Sequence, residues 1–204
     1  MIPGNADLLK CPLCSGEKEV MSLMSGNTCG GRSWSDTKVI YPMLPRLSPI
    51  QKCPSCGKYY FTNDAEVRES DGFSFEKGDL TYEQLKEAAV QFNGLLSEED
   101  KNTLNIMLLW AYNDKYNREG YETTVAPEEE KKYIYAVLDE LIATDDVDDI
   151  VKAEYYREMG RFKEALALLE TCHPSRKVLV DIVELMKSYA QNNDPIVFKI
   201  QQKK

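Results

Sequence analysis

Two Cys-x-x-Cys pairs, Cys11-Pro12-Leu13-Cys14 and Cys53-Pro54-Ser55-Cys56, constrain this chain more than any other feature. Each pair closes a tight turn that aims two sulfurs at one metal while backbone N–H groups point at the thiolates. Two such turns from two hairpins supply four sulfurs to a tetrahedral zinc, at a Zn–S distance of about 2.3 Å. A glycine follows each pair, in Ser15-Gly16 and in Gly57-Lys58, and relieves the strain of such a turn. With Cys11, Cys14, Cys53 and Cys56 all as ligands, no position is left for water or substrate. The expectation is therefore one structural Zn2+ per chain and no catalysis at the metal.

The gap between the pairs is long, 38 residues from Cys14 to Cys53, so the insert is an ordered excursion or a long hairpin. A redox dithiol is the competing use of these thiols. It wants one Cys-x-x-Cys at a helix N-terminus in a βαβ setting, whereas two copies stand here in strand-and-turn context. Cys29, in Asn27-Thr28-Cys29-Gly30-Gly31, reads as a turn residue, and Cys172 as a core residue on a helical stripe.

Residues 1–60 hold seven Lys/Arg against four Asp/Glu, and the rest of the chain 18 against 30. Neither part has the strongly basic balance of a general nucleic-acid binder. No run approaches the roughly 20 apolar residues of a membrane span, and Met1–Lys10 lacks the pattern of a secretory signal. A cytoplasmic protein that does not engage membranes is expected.

Short apolar runs at Val20–Met24, Lys38–Tyr41 and Tyr59–Phe61 read as strands, and residues 62–78 as a polar hairpin or connector. After Asp79 the period turns helical. Thr81 and Gln84 make a capping box, and Ser97 caps a second helix striped by Leu104, Met107, Leu108, Ala111 and Tyr112. Pro127 opens a third, striped by Ile134, Val137, Leu138, Leu141 and Ile142, and Asp145 is placed as the cap of a fourth that runs to Met159. Phe162, Ala165, Leu166 and Leu169 stripe the next. Val178, Leu179, Ile182, Val183, Met186 and Ala190 stripe the last, and a fraying tail is expected after Asn192. The predicted class is α+β: a small β-rich zinc-ribbon-like module with connector over residues 1–78, then a mostly α-helical array over 79–204.

The single histidine, His173, precedes Pro174 at a helix end, and no nucleophile elbow or phosphate-binding glycine loop is present. The acidic runs Glu128–Glu130 and Asp145–Asp149 lack EF-hand spacing and suit helix starts. No enzyme class is indicated.

The segment from Ala153 to Glu170 resembles one tetratricopeptide repeat: Ala153 and Tyr156 on the first helix, Gly160 at the turn, then Phe162 and Ala165. The whole chain also resembles an uncharacterised bacterial family that joins a CPxC…CPxCG zinc ribbon to a tetratricopeptide-like helical region. The segments that carry this are Ser25-Gly26-Asn27, Trp34-Ser35-Asp36, Lys52 to Gly57 and Leu108 to Asn113. That resemblance implies a tetratricopeptide-like fold for 79–204 and no biochemistry.

Helical arrays offer grooves for peptides, so the leading expectation is a zinc-binding, non-catalytic interaction module or adaptor for a protein or peptide partner. Arg32 and Trp34 in the insert, and Tyr112, Tyr116, Tyr155 and Tyr156 on the helices, are its candidate interaction residues. The alternative is a nucleic-acid- or ribosome-associated ribbon using Lys38, Arg46, Lys52 and Lys58 beside Trp34, Tyr41, Tyr59 and Tyr60. A thiol redox or metal sensor comes third.

Overall fold

Each cysteine pair sits in the turn of a β-hairpin. In the computed structural model, which describes residues 1–145 and 147–200, the strands in chain order are β1 (Ile2–Pro3), β2 (Asp7–Lys10), β3 (Glu17–Val20), β4 (Leu23–Ser25), β5 (Arg32–Trp34), β6 (Val39–Ile40), β7 (Ile50–Lys52), β8 (Tyr59–Phe61), β9 (Glu66–Glu69) and β10 (Lys199–Ile200). The helices are α1 (Tyr82–Phe92), α2 (Glu98–Tyr116), α3 (Glu128–Ile142), α4 (Asp149–Glu158), α5 (Phe162–Thr171) and α6 (Lys177–Gln191). The class is α+β, with small antiparallel sheets in the N-terminal part followed by the helices. No helix among the described residues is long and apolar enough to cross a membrane.

The described chain forms two compact units. The first holds Met1–Gly31 and Ile40–Leu104, so it includes α1 and the first turns of α2. The second holds Arg32–Val39 and the chain from Asn105 onward.

In the first unit β2 is the centre of an antiparallel β3-β2-β9 sheet, with Leu9 opposite Lys18 on one side and Val67 on the other. The β7–β8 hairpin pairs Ile50 with Phe61 and Lys52 with Tyr59. The expected single strand over Val20–Met24 is instead two: β3 ends at Val20, and β4 begins at Leu23 to pair with β1. The connector over 62–78 contains a short 3-10 turn, Thr62–Asp64, and β9. The Thr81–Gln84 capping box is present in full at the start of α1. Further along that helix Gln91 accepts from the Tyr59 N–H at 3.0 Å and donates to the Tyr59 carbonyl at 2.7 Å. One amide side chain thus satisfies the backbone groups that a strand edge leaves open.

In the second unit Ile134, Val137, Leu138 and Leu141 of the α3 stripe are buried as its period requires, and Ile142 at the helix end is half-buried. On α2 Leu104, Leu108 and Tyr112 of the expected stripe are buried, while Asn105, Leu109 and Asn113 take the buried places expected for Met107 and Ala111. The α4 cap is Asp148, which accepts from the Ile150 N–H at 2.8 Å, and not Asp145. The run Asp145–Asp149 includes Asp146, which lies outside the described residues. Gly160, at φ +75°, turns α4 into α5, and Ala165 is fully buried there.

Three further expectations are overturned. Val178 is exposed, so the α6 stripe starts later: Leu179 and Ile182 are half-buried, and Val183, Met186 and Ala190 are buried. The segment after Asn192 does not fray over its described length. Val197 and Phe198 are fully buried, Phe198 stacks on Tyr189 at 4.5 Å, and β10 pairs with β5, Lys199 opposite Trp34. The physical reason is that Val197 and Phe198 carry enough apolar surface to order a short strand once β5 offers it an edge. Cys172 is half-buried just beyond α5, not in the core.

Candidate functional site

The first cysteine turn is closed by the Cys11 N–H donating to the Gly16 carbonyl at 2.8 Å and the Ser15 N–H to the Cys11 carbonyl at 2.9 Å. The second repeats the pattern: Cys53 N–H to Lys58 carbonyl, 2.8 Å, and Gly57 N–H to Cys53 carbonyl, 2.9 Å. The left-handed position falls on the residue directly after the second cysteine in both, at Ser15 (φ +59°) and Gly57 (φ +70°). Glycine therefore relieves the backbone in the second turn only. In the first, Ser15 bears the left-handed conformation and Gly16 serves another purpose. A Cβ on Gly16 would stand 2.4 Å from Ser55 Oγ and 2.7 Å from Ser55 Cβ, so the two turns approach each other at a residue without a side chain.

That approach brings the sulfurs of Cys11, Cys14, Cys53 and Cys56 within 4.8 Å of one another, and Cys14 Sγ lies 3.6 Å from Cys53 Sγ. Four sulfurs at about 2.3 Å from one tetrahedral ion stand about 3.8 Å apart, so the cluster fits a metal with small adjustment. The Leu13 N–H points at Cys11 Sγ and the Gly16 N–H at Cys14 Sγ, each at 3.4 Å, which supplies the second-sphere donors that thiolates need. Cys11 and Cys53 are buried, Cys14 and Cys56 exposed. Tyr60, 2% exposed, packs against the two buried cysteines, and burial followed by the charge of the four thiols pushes its phenol up to about 12.

The protons are held unevenly across the cluster. At Cys53, burial resists ionisation, but the amides of Cys56 and Ser55 and the thiols of Cys14 and Cys56 donate to it and bring it down to about 7. At Cys14 the Gly16 amide favours the thiolate, yet hydrogen bonding to Cys56 and burial prevail and raise it to about 12. This is how four sulfurs behave when they compete for one negative charge, and a dication removes the competition. Cys29 is exposed and stands apart from the cluster, its N–H donating to Asn27 Oδ1 in a local turn.

The other candidate residues are placed as follows. Trp34 is 3% exposed beneath the guanidinium of Arg118, whose carbon lies 5.0 Å from the ring centroid. Tyr155 and Tyr112 are buried too, while Tyr116 and Tyr156 are half-buried and Arg32 is exposed. Tyr112 and Tyr116 lie together, ring centroids 5.0 Å apart. Of the basic and aromatic residues considered for nucleic acid, Lys38 is paired with Asp114 and Lys52 with Glu87 at 3.4 Å, and Trp34, Tyr59 and Tyr60 are buried. Arg46 and Lys58 are exposed. His173 is exposed in the α5–α6 connection.

Sequence reading missed a polar network inside the second unit. Arg118, 1% exposed, donates to both oxygens of the fully buried Asp36, at 3.0 and 2.5 Å, and to Asp114. Asn113 Nδ2 bridges Asp36 and Glu158 at 3.0 and 2.9 Å, and the Trp110 indole donates to the Asp36 carbonyl. Arg157 pairs with Glu154 at 2.5 Å. The i, i+3 spacing of Glu154 and Arg157 and the i, i+4 spacing of Asp114 and Arg118 were visible signals. Their burial was not.

No family model, curated protein or solved structure matches this chain. The resemblance to the uncharacterised ribbon family therefore rests on the motifs quoted for it. What the geometry shows is a four-cysteine cluster arranged like a zinc-binding site.

Proposed function

We propose that this protein is a zinc-binding, non-catalytic interaction module of zinc-ribbon type. The observation that carries the reading is the convergence of Cys11, Cys14, Cys53 and Cys56 to within 4.8 Å from two hairpin turns of the same design. An all-sulfur tetrahedral set selects zinc or iron over harder cations, and all four positions are filled by protein, so the metal serves structure and not chemistry. Metal binding is then folding energy for a β module whose strands run to four residues at most. The adaptor role is supported by the α4–α5 helix pair, with its Gly160 turn and Ala165 contact, which fits a single tetratricopeptide-like unit.

Elemental analysis of protein purified without added metal tests this directly. The expected result is about one zinc per chain, a colourless solution, and four thiols that react only after chelation. Protein with no metal and all six thiols immediately reactive overturns it, and a red iron-loaded form assigns a different metal to the same cage. Capture of partners at low and high salt separates the roles, because nucleic-acid binding weakens steeply with salt and peptide binding much less.

A further inference from the structure

The second unit contains a pocket of about 210 Å³ that the metal centre does not explain. Its lining includes Tyr112, Tyr116 and Tyr135 with Leu109 and Ile134, and Glu158 is its one acidic residue among the described residues. Glu158 is 6% exposed, and its Oε2 accepts from Asn113. Its Oε1 is buried and has no hydrogen-bond partner among the described residues. A carboxyl oxygen so placed costs free energy unless something occupies the space beside it.

The charges around it say what that occupant is. Lys38 answers Asp114, Arg118 answers Asp36 and Asp114, and Arg157 answers Glu154. The network holds four acids, Asp36, Asp114, Glu154 and Glu158, against three bases, and among the described residues Glu158 alone of the four has no ion pair. Lys131, the one basic residue in the pocket lining, is engaged by Glu128 at 2.6 Å. With Glu158 ionised the site is one positive charge short, and tyrosine faces attract cations through the ring quadrupole.

We propose that this pocket binds an alkylammonium group, from a free amine or from a lysine side chain, with its nitrogen on Glu158 Oε1 and its methylenes against Tyr112, Tyr116 and Tyr135. Burial and the neighbouring Glu154 and Asp36 hold the free Glu158 carboxyl protonated well above the usual range, against the opposing pull of Arg157 and the Asn113 amide. Binding therefore exchanges that proton for the ligand's charge: Glu158 releases H+ to solvent as the ammonium arrives. Affinity rises with pH as the proton becomes easier to displace, until the amine itself titrates.

The test is calorimetry on the full chain with n-butylammonium and with Nα-acetyl-lysine methylamide, against pentan-1-ol and butyrate as neutral and anionic controls. The expected result is saturable binding of the two cations only, with net proton release shown by buffers of different ionisation enthalpy. Glu158→Gln keeps the shape, and Tyr135→Ala removes one half-buried wall. The first is expected to weaken binding on the order of tenfold and the second about threefold, with thermal melts showing that both variants fold. Tighter binding of the blocked lysine assigns the natural ligand to a protein side chain, and equal or weaker binding to a free amine; both uphold the site. No binding of either cation, equal binding of pentan-1-ol, or undiminished binding by Glu158→Gln overturns it.

Discussion

A methyl group on Gly16 would meet Ser55 Oγ at 2.4 Å, so the two cysteine turns touch where one has no side chain and the other a short one. The four sulfurs reach one another because that contact is this close. Gly16→Ala is expected to push the turns apart and to cost about 1–3 kcal/mol, the range for overpacking a close contact. The metal-loaded protein should show a lowered melting temperature and faster loss of zinc to a chelator. Gly16→Ala combined with Ser55→Gly should recover most of both. Failure of the double variant to recover would place the effect in the backbone of the first turn instead.

Ser15 occupies a left-handed conformation that costs most residues about 1–2 kcal/mol. Ser15→Gly removes that strain, in part offset by the larger entropy of an unfolded glycine. The expected outcome is a small gain in stability, under about 1 kcal/mol, read from the unfolding midpoint. Gly57→Ser at the matching position should lose a similar amount.

Arg118 is a buried cation held by Asp36 from a segment 82 residues away. Breaking such a pair leaves an uncompensated charge and costs about 3–5 kcal/mol. Asp36→Ala should show this in urea unfolding. Arg118→Lys should be nearly as damaging, because an ammonium cannot reproduce the guanidinium fork on both Asp36 oxygens. A fragment beginning at Asp79 lacks Asp36 as well, and its helical melt by circular dichroism should fall well below that of the full chain.

Glu158 gives a pH signature. Its carboxyl is raised well above the ordinary 4.5 by burial first and by Glu154 and Asp36 next. A raised acid binds its proton more tightly in the folded state. That contribution is fully present below the unfolded value and is lost as pH rises through the folded one. Glu158→Gln carries no such loss. The variant's stability relative to the native chain should therefore increase as pH is raised above about 4.5, measured as the difference between unfolding midpoints across a pH series.

Ala165 is fully buried while its neighbours Lys163 and Glu164 are exposed. Ala165→Leu is expected to cost about 1–3 kcal/mol by overpacking the α4–α5 contact. Lys163→Ala should stay within about 0.5 kcal/mol. Equal losses from both would undo the tetratricopeptide-like reading of this pair.

The sequence by itself determined what is local. Spacing within each Cys-x-x-Cys pair dictated the turns, because two sulfurs three residues apart face one point only when the chain reverses there. The Thr81–Gln84 box and the Ile134, Val137, Leu138 and Leu141 stripe marked helices because caps and period are properties of neighbouring residues. Tertiary structure alone decided which distant residues meet. It withdrew Arg32–Val39 from the insert between the cysteine pairs and placed Asp36 against Arg118. It ordered Val197 and Phe198 against a strand edge no pattern announces. It also left Glu158 buried on α4, where no pattern in the sequence marks it as a core residue. A period reports which face of a helix is buried but not against what. The partner of a buried charge is chosen by whichever opposite charge the fold brings into the same low-dielectric space, and that information is spread over the whole chain.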